Sequence, residues 1–184
     1  MSHRTMLNWE LTGIAFIFTA GSVLHFLFAL TGHWRPIAWF AAVNESVWEH
    51  LKLTFWPGLI FALIEYLAFG QRYKAFWLAK WLGLLAMTVL IPLLFYGYVA
   101  VLGRHNMALD LLIFLIAIVA GQLLSYTVAV RITAHQAFSW LGVIGLLAMA
   151  LTFIVLTYNP LHNFLFRCPQ TQQYGIAVDL RESA

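Results

Sequence analysis

The sequence predicts an all-α membrane protein in which five transmembrane helices form one bundle. Of its 184 residues, 62% are hydrophobic and 9% are charged, and the mean hydropathy is +0.84. A soluble domain of this length cannot enclose that much apolar surface. Five apolar segments are long enough to cross a hydrocarbon core of about 30 Å. They cover residues 10–30, 53–69, 81–102, 109–130 and 138–158.

The first segment is long for the core of a signal peptide and has no clear small-x-small cleavage site, so it is predicted to be retained as a span. An amphipathic helix is predicted to lead into the second segment. Pro57 in that segment and Pro92 in the third remove backbone donors and can bend their helices. The chain is therefore expected to be one transmembrane domain over residues 1–184, with an extramembrane tail at 159–184.

The fourth segment contains polar residues that are typical of hydrogen bonds between helices, namely Gln122, Ser125 and Tyr126. After the fifth segment, a turn at YNP begins the tail. The tail is too polar beyond residue 167 to span a membrane, and its aromatic beginning is expected to fold back over the bundle.

All eight tryptophans occur at or near segment ends, as expected of interfacial indoles. They are Trp9, Trp34, Trp39, Trp48, Trp56, Trp77, Trp81 and Trp140.

We call the membrane side of the N-terminus side A and the opposite side B. The side A bases are Arg4, Arg72, Lys74, Lys80 and Arg131, and those of side B are Arg35, Lys52, Arg104 and Arg167. By the positive-inside rule, this narrow excess predicts a membrane protein with a cytoplasmic N-terminus and an outer C-terminus.

Several functional classes are excluded by composition. A single cysteine, Cys168, rules out an internal disulfide and a Cys-x-x-Cys redox centre. The ten basic residues are scattered over loops, so no nucleic-acid-binding stripe exists. Membrane lipids are the expected surroundings.

The stretch VNESVWEHLKLTFWP, residues 43–57, concentrates charge in a chain that has little. On a helical wheel, Glu45, Glu49, Lys52 and His50 share one polar arc. Ser46 followed by Glu49 fits a capping box, and the arc then merely faces water. Alternatively the arc faces inward and forms a site. Lys52 is expected to neutralise Glu49 or Glu45, or to reach lipid phosphate.

Other polar residues are predicted on the same side B. His25 lies in an apolar run, where an imidazole needs a partner, and it is either a site residue or a structural hydrogen-bonding group. His105 and Asp110 flank the turn before the fourth helix, and His162 opens the tail. Each of these three has an ordinary loop or capping interpretation. Glutamate, histidine and aspartate gathered at one interface are nevertheless typical of metal or acid–base sites.

Glu65 is predicted near side A, where it snorkels or pairs with Arg72 or Lys74. His33 and His135 are assigned to loops with no predicted role. No His-x-x-x-His pair occurs on any helix, and Ser46 occupies the first ligand position of a broken His-x-x-Glu-His pattern. A metal site would therefore be assembled residue by residue from distant segments.

The NESVWEHLK core, the His25 helix and the tail pattern around Pro160, His162 and Pro169 resemble a family of small bacterial integral membrane proteins of unknown function. The resemblance covers nearly the whole chain. The family pattern has an aspartate where this chain has Cys168 and a glycine where it has Gln172. The resemblance implies the same architecture and a location in the bacterial cytoplasmic membrane, and it brings no established activity.

Two functions are predicted. In the first, the protein is a metal-dependent membrane enzyme acting on a lipid or amphipathic substrate, with Glu45 and Glu49 catalytic and a divalent transition metal such as zinc bound. The metal ligands are drawn from His25, His50, Glu49, His105, Asp110 and His162. In the second, a non-catalytic binding protein or complex subunit holds a small ligand, a haem through paired histidines, or a protein partner.

Overall fold

A computed structural model describes residues 3–132 and 136–176, and His135 and the tail beyond residue 176 lie outside this range. The five predicted helices are confirmed. They are α1 (His3–Leu30), α2 (Val47–Ala68), α3 (Phe76–Leu102), α4 (Met107–Arg131) and α5 (Gln136–Tyr158). Short 3-10 turns cover Arg35–Trp39 and Gly70–Arg72. All five helices are long and apolar enough to cross a membrane.

The predicted amphipathic helix and the second span form one continuous helix, α2. It begins directly after the N-cap residue Ser46, whose side-chain oxygen accepts a hydrogen bond from the backbone N–H of Glu49. Every residue from 51 to 58 is buried. Glu49 and Lys52 at the start of α2 therefore face the protein interior instead of water, whereas His50 is only partly buried.

One hydrophobic core joins all five helices. It contains Ile17 of α1, Phe55 of α2, Met87 of α3, Ile118 of α4 and Phe153 of α5. Helix α3 contacts α2, α4 and α5, and α1 contacts α2 and α4. Burial is thus shared across the bundle, while many large apolar side chains remain on its outer surface, where lipid would surround them.

Helices α3 and α4 approach each other closely through Gly83 and Gly121. A Cβ atom on Gly83 would lie 2.7 Å from the carbonyl oxygen of Gly121. Small residues allow such backbone contact, which is a common way for membrane helices to associate.

The described part of the tail folds back over the start of α2, as expected. Phe166 stacks on Trp48 with ring centroids 4.4 Å apart, and the Trp48 backbone N–H donates to the carbonyl oxygen of Leu165 at 3.0 Å. The Asn44 side chain donates to the carbonyl oxygen of Gly175 at 2.7 Å. The tail therefore supports the segment that precedes α2.

Candidate functional site

Three side chains on side B bring potential metal ligands together. The His25 Nε2 and His50 Nε2 atoms are 3.1 Å apart. Glu45 Oε2 lies 3.5 Å from His25 Nε2 and 3.6 Å from His50 Nε2. Among the described residues, this is the one group of three or more His, Cys, Asp or Glu residues with ligand atoms within 4.8 Å of one another. We call these residues the His–Glu cluster.

Each member of the His–Glu cluster comes from a different local structure. His25 lies near the end of α1, and His50 lies in the first turn of α2. Glu45 precedes the N-cap of α2 and is not helical. The Asn44 side-chain oxygen accepts a hydrogen bond from the Ser46 backbone N–H at 2.8 Å. This turn, which the tail also contacts, directs Glu45 toward the two imidazoles.

A backbone hydrogen bond sets the tautomer of His50. Its Nδ1 lies 2.8 Å from the carbonyl oxygen of Ser46. Because a carbonyl oxygen only accepts, neutral His50 must carry its proton on Nδ1. The Nε2 lone pair then faces His25 and Glu45, as it does in histidines whose other ring nitrogen donates to a carbonyl.

Glu45 is held in its ionised form. A hydrogen bond from His25 lowers the pKa of Glu45 below its ordinary value, and the charges on His50 and His25 add to this effect. Partial burial acts in the opposite direction and raises the pKa of Glu45, but the net pKa stays below its ordinary value. The cluster thus combines a carboxylate with two imidazoles.

The cluster remains accessible. The side chains of His25, His50 and Glu45 are 26%, 30% and 39% exposed. A cavity of about 180 Å³ lies beside it, and His25 and Glu45 form part of its wall. His33 and Asn44 also line this cavity, although the sequence assigned neither to the site. Aromatic side chains, Phe26 and Phe28, complete its apolar wall.

Glu49 lies outside the His–Glu cluster. Its Oε2 atom contacts Lys52 Nζ at 2.6 Å, which confirms the predicted neutralisation of Glu49 by Lys52. The same oxygen accepts a hydrogen bond from the Val43 backbone N–H at 3.0 Å. The capping box is therefore half formed: Ser46 caps the Glu49 N–H, but the Glu49 carboxylate holds Val43 in place of Ser46.

The three outer candidates are likewise not brought into the cluster. His105 Nδ1 lies 3.6 Å from Asp110 Oδ2 in the exposed turn between α3 and α4. Asp110 also accepts a hydrogen bond from Tyr98. His162 stacks on Tyr174, with ring centroids 4.7 Å apart. These contacts agree with the loop interpretations, and no metal role for these residues follows from them.

The predicted partner of Glu65 is wrong. Glu65 is fully buried and pairs with Lys80 of α3, instead of snorkelling or pairing with Arg72 or Lys74. Lys80 also pairs with Glu10 of α1, at 2.7 Å. Short spacing along the chain favoured the nearer cations, but helix packing brings Lys80 to Glu65 inside the bundle.

Helix α4 supplies neutral groups to this second site. The Ser125 hydroxyl donates to Glu10 Oε1 at 3.1 Å, and the Gln122 amide donates to the Glu10 backbone carbonyl at 3.3 Å. Both residues therefore form the predicted hydrogen bonds between helices. Tyr126 packs against the side A hydrophobic cluster around Phe76.

No curated protein and no solved structure shows a significant match. One family model, described as a family of unknown function, matches residues 1–176. This confirms the predicted resemblance to a family of unknown function. The chain belongs to the family of unknown function DUF6512.

Proposed function

We propose that His25, Glu45 and His50 bind a divalent transition metal, with zinc as the leading candidate. The observation that supports this proposal is the size of the ligand triangle, whose sides are 3.1, 3.5 and 3.6 Å. Ligands of a tetrahedral zinc ion with bonds of about 2.0–2.1 Å are separated by about 3.3–3.4 Å. An ion at bonding distance from all three atoms therefore fits with little movement of the side chains.

The donor set also suits this metal. Two imidazoles and one carboxylate form a ligand set used by catalytic zinc sites, where a fourth position stays open for water or substrate. The tautomer of His50 presents an Nε2 lone pair to the ion, and the lowered pKa of Glu45 keeps its carboxylate charged. The same set also occurs in iron sites with open positions, so the metal must be identified by measurement.

The geometry disfavours haem. Two imidazoles that bind a haem iron from opposite faces need their nitrogens about 4 Å apart, because each Fe–N bond is about 2 Å long and the porphyrin lies between them. His25 and His50 nitrogens are 3.1 Å apart. A single metal ion without a porphyrin can be bound by two imidazole nitrogens that lie closer together than this.

We further propose that the metal acts on a lipid or amphipathic substrate. A metal with an open position lowers the pKa of a bound water to about 7 and thereby supplies hydroxide at neutral pH. The cluster is partly exposed and lies beside a cavity with Phe26 and Phe28 in its wall. A substrate with a polar bond to be cleaved and an apolar part matches such surroundings.

Glu45 and Glu49, both predicted as catalytic, take different roles in this proposal. Glu45 is a metal ligand. Glu49 is a positioning residue, because it holds the Val43 N–H two residues before Glu45. Because the Glu49 carboxylate is in close contact with the Lys52 ammonium group, it is poorly suited to accept a proton as a general base. This contact favours the second candidate function, a non-catalytic metal-binding protein.

Metal titration tests the proposal. Detergent-purified protein is stripped with a chelator and titrated with Zn²⁺ and with Co²⁺, whose visible spectrum reports tetrahedral coordination. We expect one ion per chain and a tenfold or greater loss of affinity in His25→Ala, His50→Ala and Glu45→Gln. His105→Ala is the matched control because its imidazole is exposed and lies outside the cluster. Equal binding by all variants would overturn the site.

A second measurement separates the two functions. The zinc-loaded protein is incubated with mixed phospholipid micelles, and ³¹P NMR together with fatty-acid analysis follows cleavage. Turnover by the wild type that is lost in Glu45→Gln supports the enzyme. Binding of zinc without turnover of these substrates favours the non-catalytic role.

A further inference from the structure

The second polar site, formed by Glu10, Glu65 and Lys80, has an unbalanced set of charges. Two carboxylates share one ammonium group, and the three side chains are 1%, 0% and 3% exposed. If all three were ionised, the group would carry a net charge of −1 inside a bundle of apolar helices. The buried Glu49–Lys52 pair on side B, in contrast, has one charge of each sign.

No other charged group that the structure describes compensates the extra carboxylate. The charges that act on Glu65 are those of Lys80 and Glu10. Helix α4 contributes only the neutral Ser125 and Gln122. The adjoining hydrophobic cluster contains three phenols, from Tyr66, Tyr73 and Tyr126. Phenols are uncharged at neutral pH.

The hydrogen bonds of the site are also incomplete. Glu10 Oε1 accepts from both Lys80 and Ser125, whereas its second oxygen, Oε2, is buried without a hydrogen-bond partner. Glu65 Oε1 is likewise buried and unpartnered among the described residues. An ionised carboxylate in this position would leave acceptor atoms with neither water nor a donor, which is costly.

We infer that Glu10, Glu65 and Lys80 form a proton-binding site that holds one proton between its two carboxylates at neutral pH. A buried carboxylate without a counterion takes up a proton because the neutral acid is cheaper to desolvate. Glu65 is the better carrier, since Glu10 Oε1 accepts hydrogen bonds from both Lys80 and Ser125, whereas the described contact of the Glu65 carboxylate is with Lys80. The proton leaves the site as the pH is raised.

The site lies inside the membrane-spanning part of the chain. Glu10, Glu65 and Lys80 belong to the apolar helices α1, α2 and α3, near the ends that these helices share on side A. Ionisable residues within such segments commonly bind or relay ions. The proton site is separate from the His–Glu cluster and does not depend on the metal proposed there.

Infrared spectroscopy with hydrogen–deuterium exchange tests this inference directly, because a protonated carboxyl has a C=O band that a carboxylate lacks. In detergent-solubilised wild type at neutral pH we expect a band from one buried carboxyl per chain. Glu65→Gln and Glu10→Gln should each abolish it, because either change leaves one carboxylate balanced by Lys80. Lys80→Met should instead double it, because neither carboxylate then has a counterion.

Asp110→Asn is the control, since Asp110 lies in the turn between α3 and α4, away from Glu10 and Glu65, and its removal should leave the band unchanged. The wild-type measurement stands even where a variant does not fold. A wild type without the band at neutral pH would overturn the inference and point to a bound metal cation as the balancing charge. A band that persists in both glutamine variants would overturn it as well.

Discussion

Lys52 and Glu49, three residues apart on α2, form a fully buried ion pair in which Lys52 Nζ lies 2.6 Å from Glu49 Oε2. The ammonium group also donates to the Ala38 carbonyl at 2.8 Å and to the Thr157 hydroxyl at 2.9 Å. All three of its protons therefore have acceptors. Through these contacts the pair links α2 to α5 and to the 3-10 turn that precedes α2. It thereby fixes the start of α2, near which Glu45 and His50 lie.

Glu49→Gln is expected to destabilise the protein strongly. If Glu49 were only a capping-box partner, glutamine would cost a few tenths of a kcal/mol, well below the ~1 kcal/mol of a lost cap. Breaking a buried pair instead leaves an uncompensated charge and costs about 3–5 kcal/mol. Denaturant or thermal unfolding of the detergent-solubilised variant measures the difference.

The double variant Glu49→Gln/Lys52→Met is the matched control. It removes the orphaned ammonium group, so we expect it to recover most of the stability lost in Glu49→Gln. Equal stability of the wild type and Glu49→Gln would mean that the ion pair does not hold this end of α2.

Much of this architecture was predictable because it follows from local composition. The five spans follow from apolar length, and His25 was singled out because an imidazole in an apolar run needs a partner. The structure places that imidazole beside His50 and Glu45. The helical wheel, however, treated Glu45 as helical, whereas α2 begins after Ser46. The direction of the Glu45 side chain is set by the turn at Asn44 and by the tail that contacts this turn, and a helical wheel represents neither.

The second polar site, formed by Glu10, Glu65 and Lys80, could not be predicted from the spacing of these residues along the chain. Lys80 lies seventy residues from Glu10 along the chain, and their pairing depends on how α1, α2 and α3 pack. A usable signal was present, since Glu10, Glu65 and Lys80 all occur close to the side A ends of apolar segments. Isolated charges at matching depths on several spans are candidates for mutual pairing.

Glu45 should make the stability of the metal-free protein depend on pH at the acid end. In the folded state, the hydrogen bond from His25 is the main cause that lowers the pKa of Glu45 below its ordinary value of 4.5. Folding therefore favours the ionised carboxylate. Its stabilising contribution is fully present above pH 4.5 and is lost as the pH falls through the lower folded-state pKa.

Thermal unfolding of chelator-treated wild type and Glu45→Gln across this range measures the contribution. We expect the wild type to be the more stable above pH 4.5 and the difference to shrink on further acidification. A difference that grows between pH 4.5 and pH 3 would contradict the sign of the pKa shift.

Phe166→Ala is expected to release the tail from α2. The Phe166 ring is 3% exposed and stacks on Trp48, and loss of a buried phenylalanine side chain costs about 3–5 kcal/mol. Trypsin cleavage after Arg167, which is exposed but pairs through its backbone with Tyr174, reports this release. We expect faster cleavage in Phe166→Ala.

Phe164→Ala is the matched control because Phe164 is 72% exposed, although its ring contacts Tyr96. Its cleavage rate should remain close to that of the wild type. If both variants were cleaved equally fast, the stacking on Trp48 would not be the contact that holds the tail.

The orientation in the membrane remains a prediction, and the structure sharpens its basis. Lys80 and Lys52 are buried in ion pairs and should not be counted as loop cations. Without Lys80, side A has four of its five basic residues left, and without Lys52, side B has three of its four left. The excess of one still favours a cytoplasmic side A and a His–Glu cluster that faces outward.

Single cysteines placed in a Cys168→Ser background decide the orientation. Gln71→Cys reports side A and Gln170→Cys reports side B, and both glutamines are exposed. With a membrane-impermeant maleimide on intact cells, we expect labelling of Gln170→Cys, and labelling of Gln71→Cys only after permeabilisation. The reverse pattern would place the His–Glu cluster on the cytoplasmic face. The cluster would then draw its metal from the cytoplasm, and the proton site would lie nearer the outer surface.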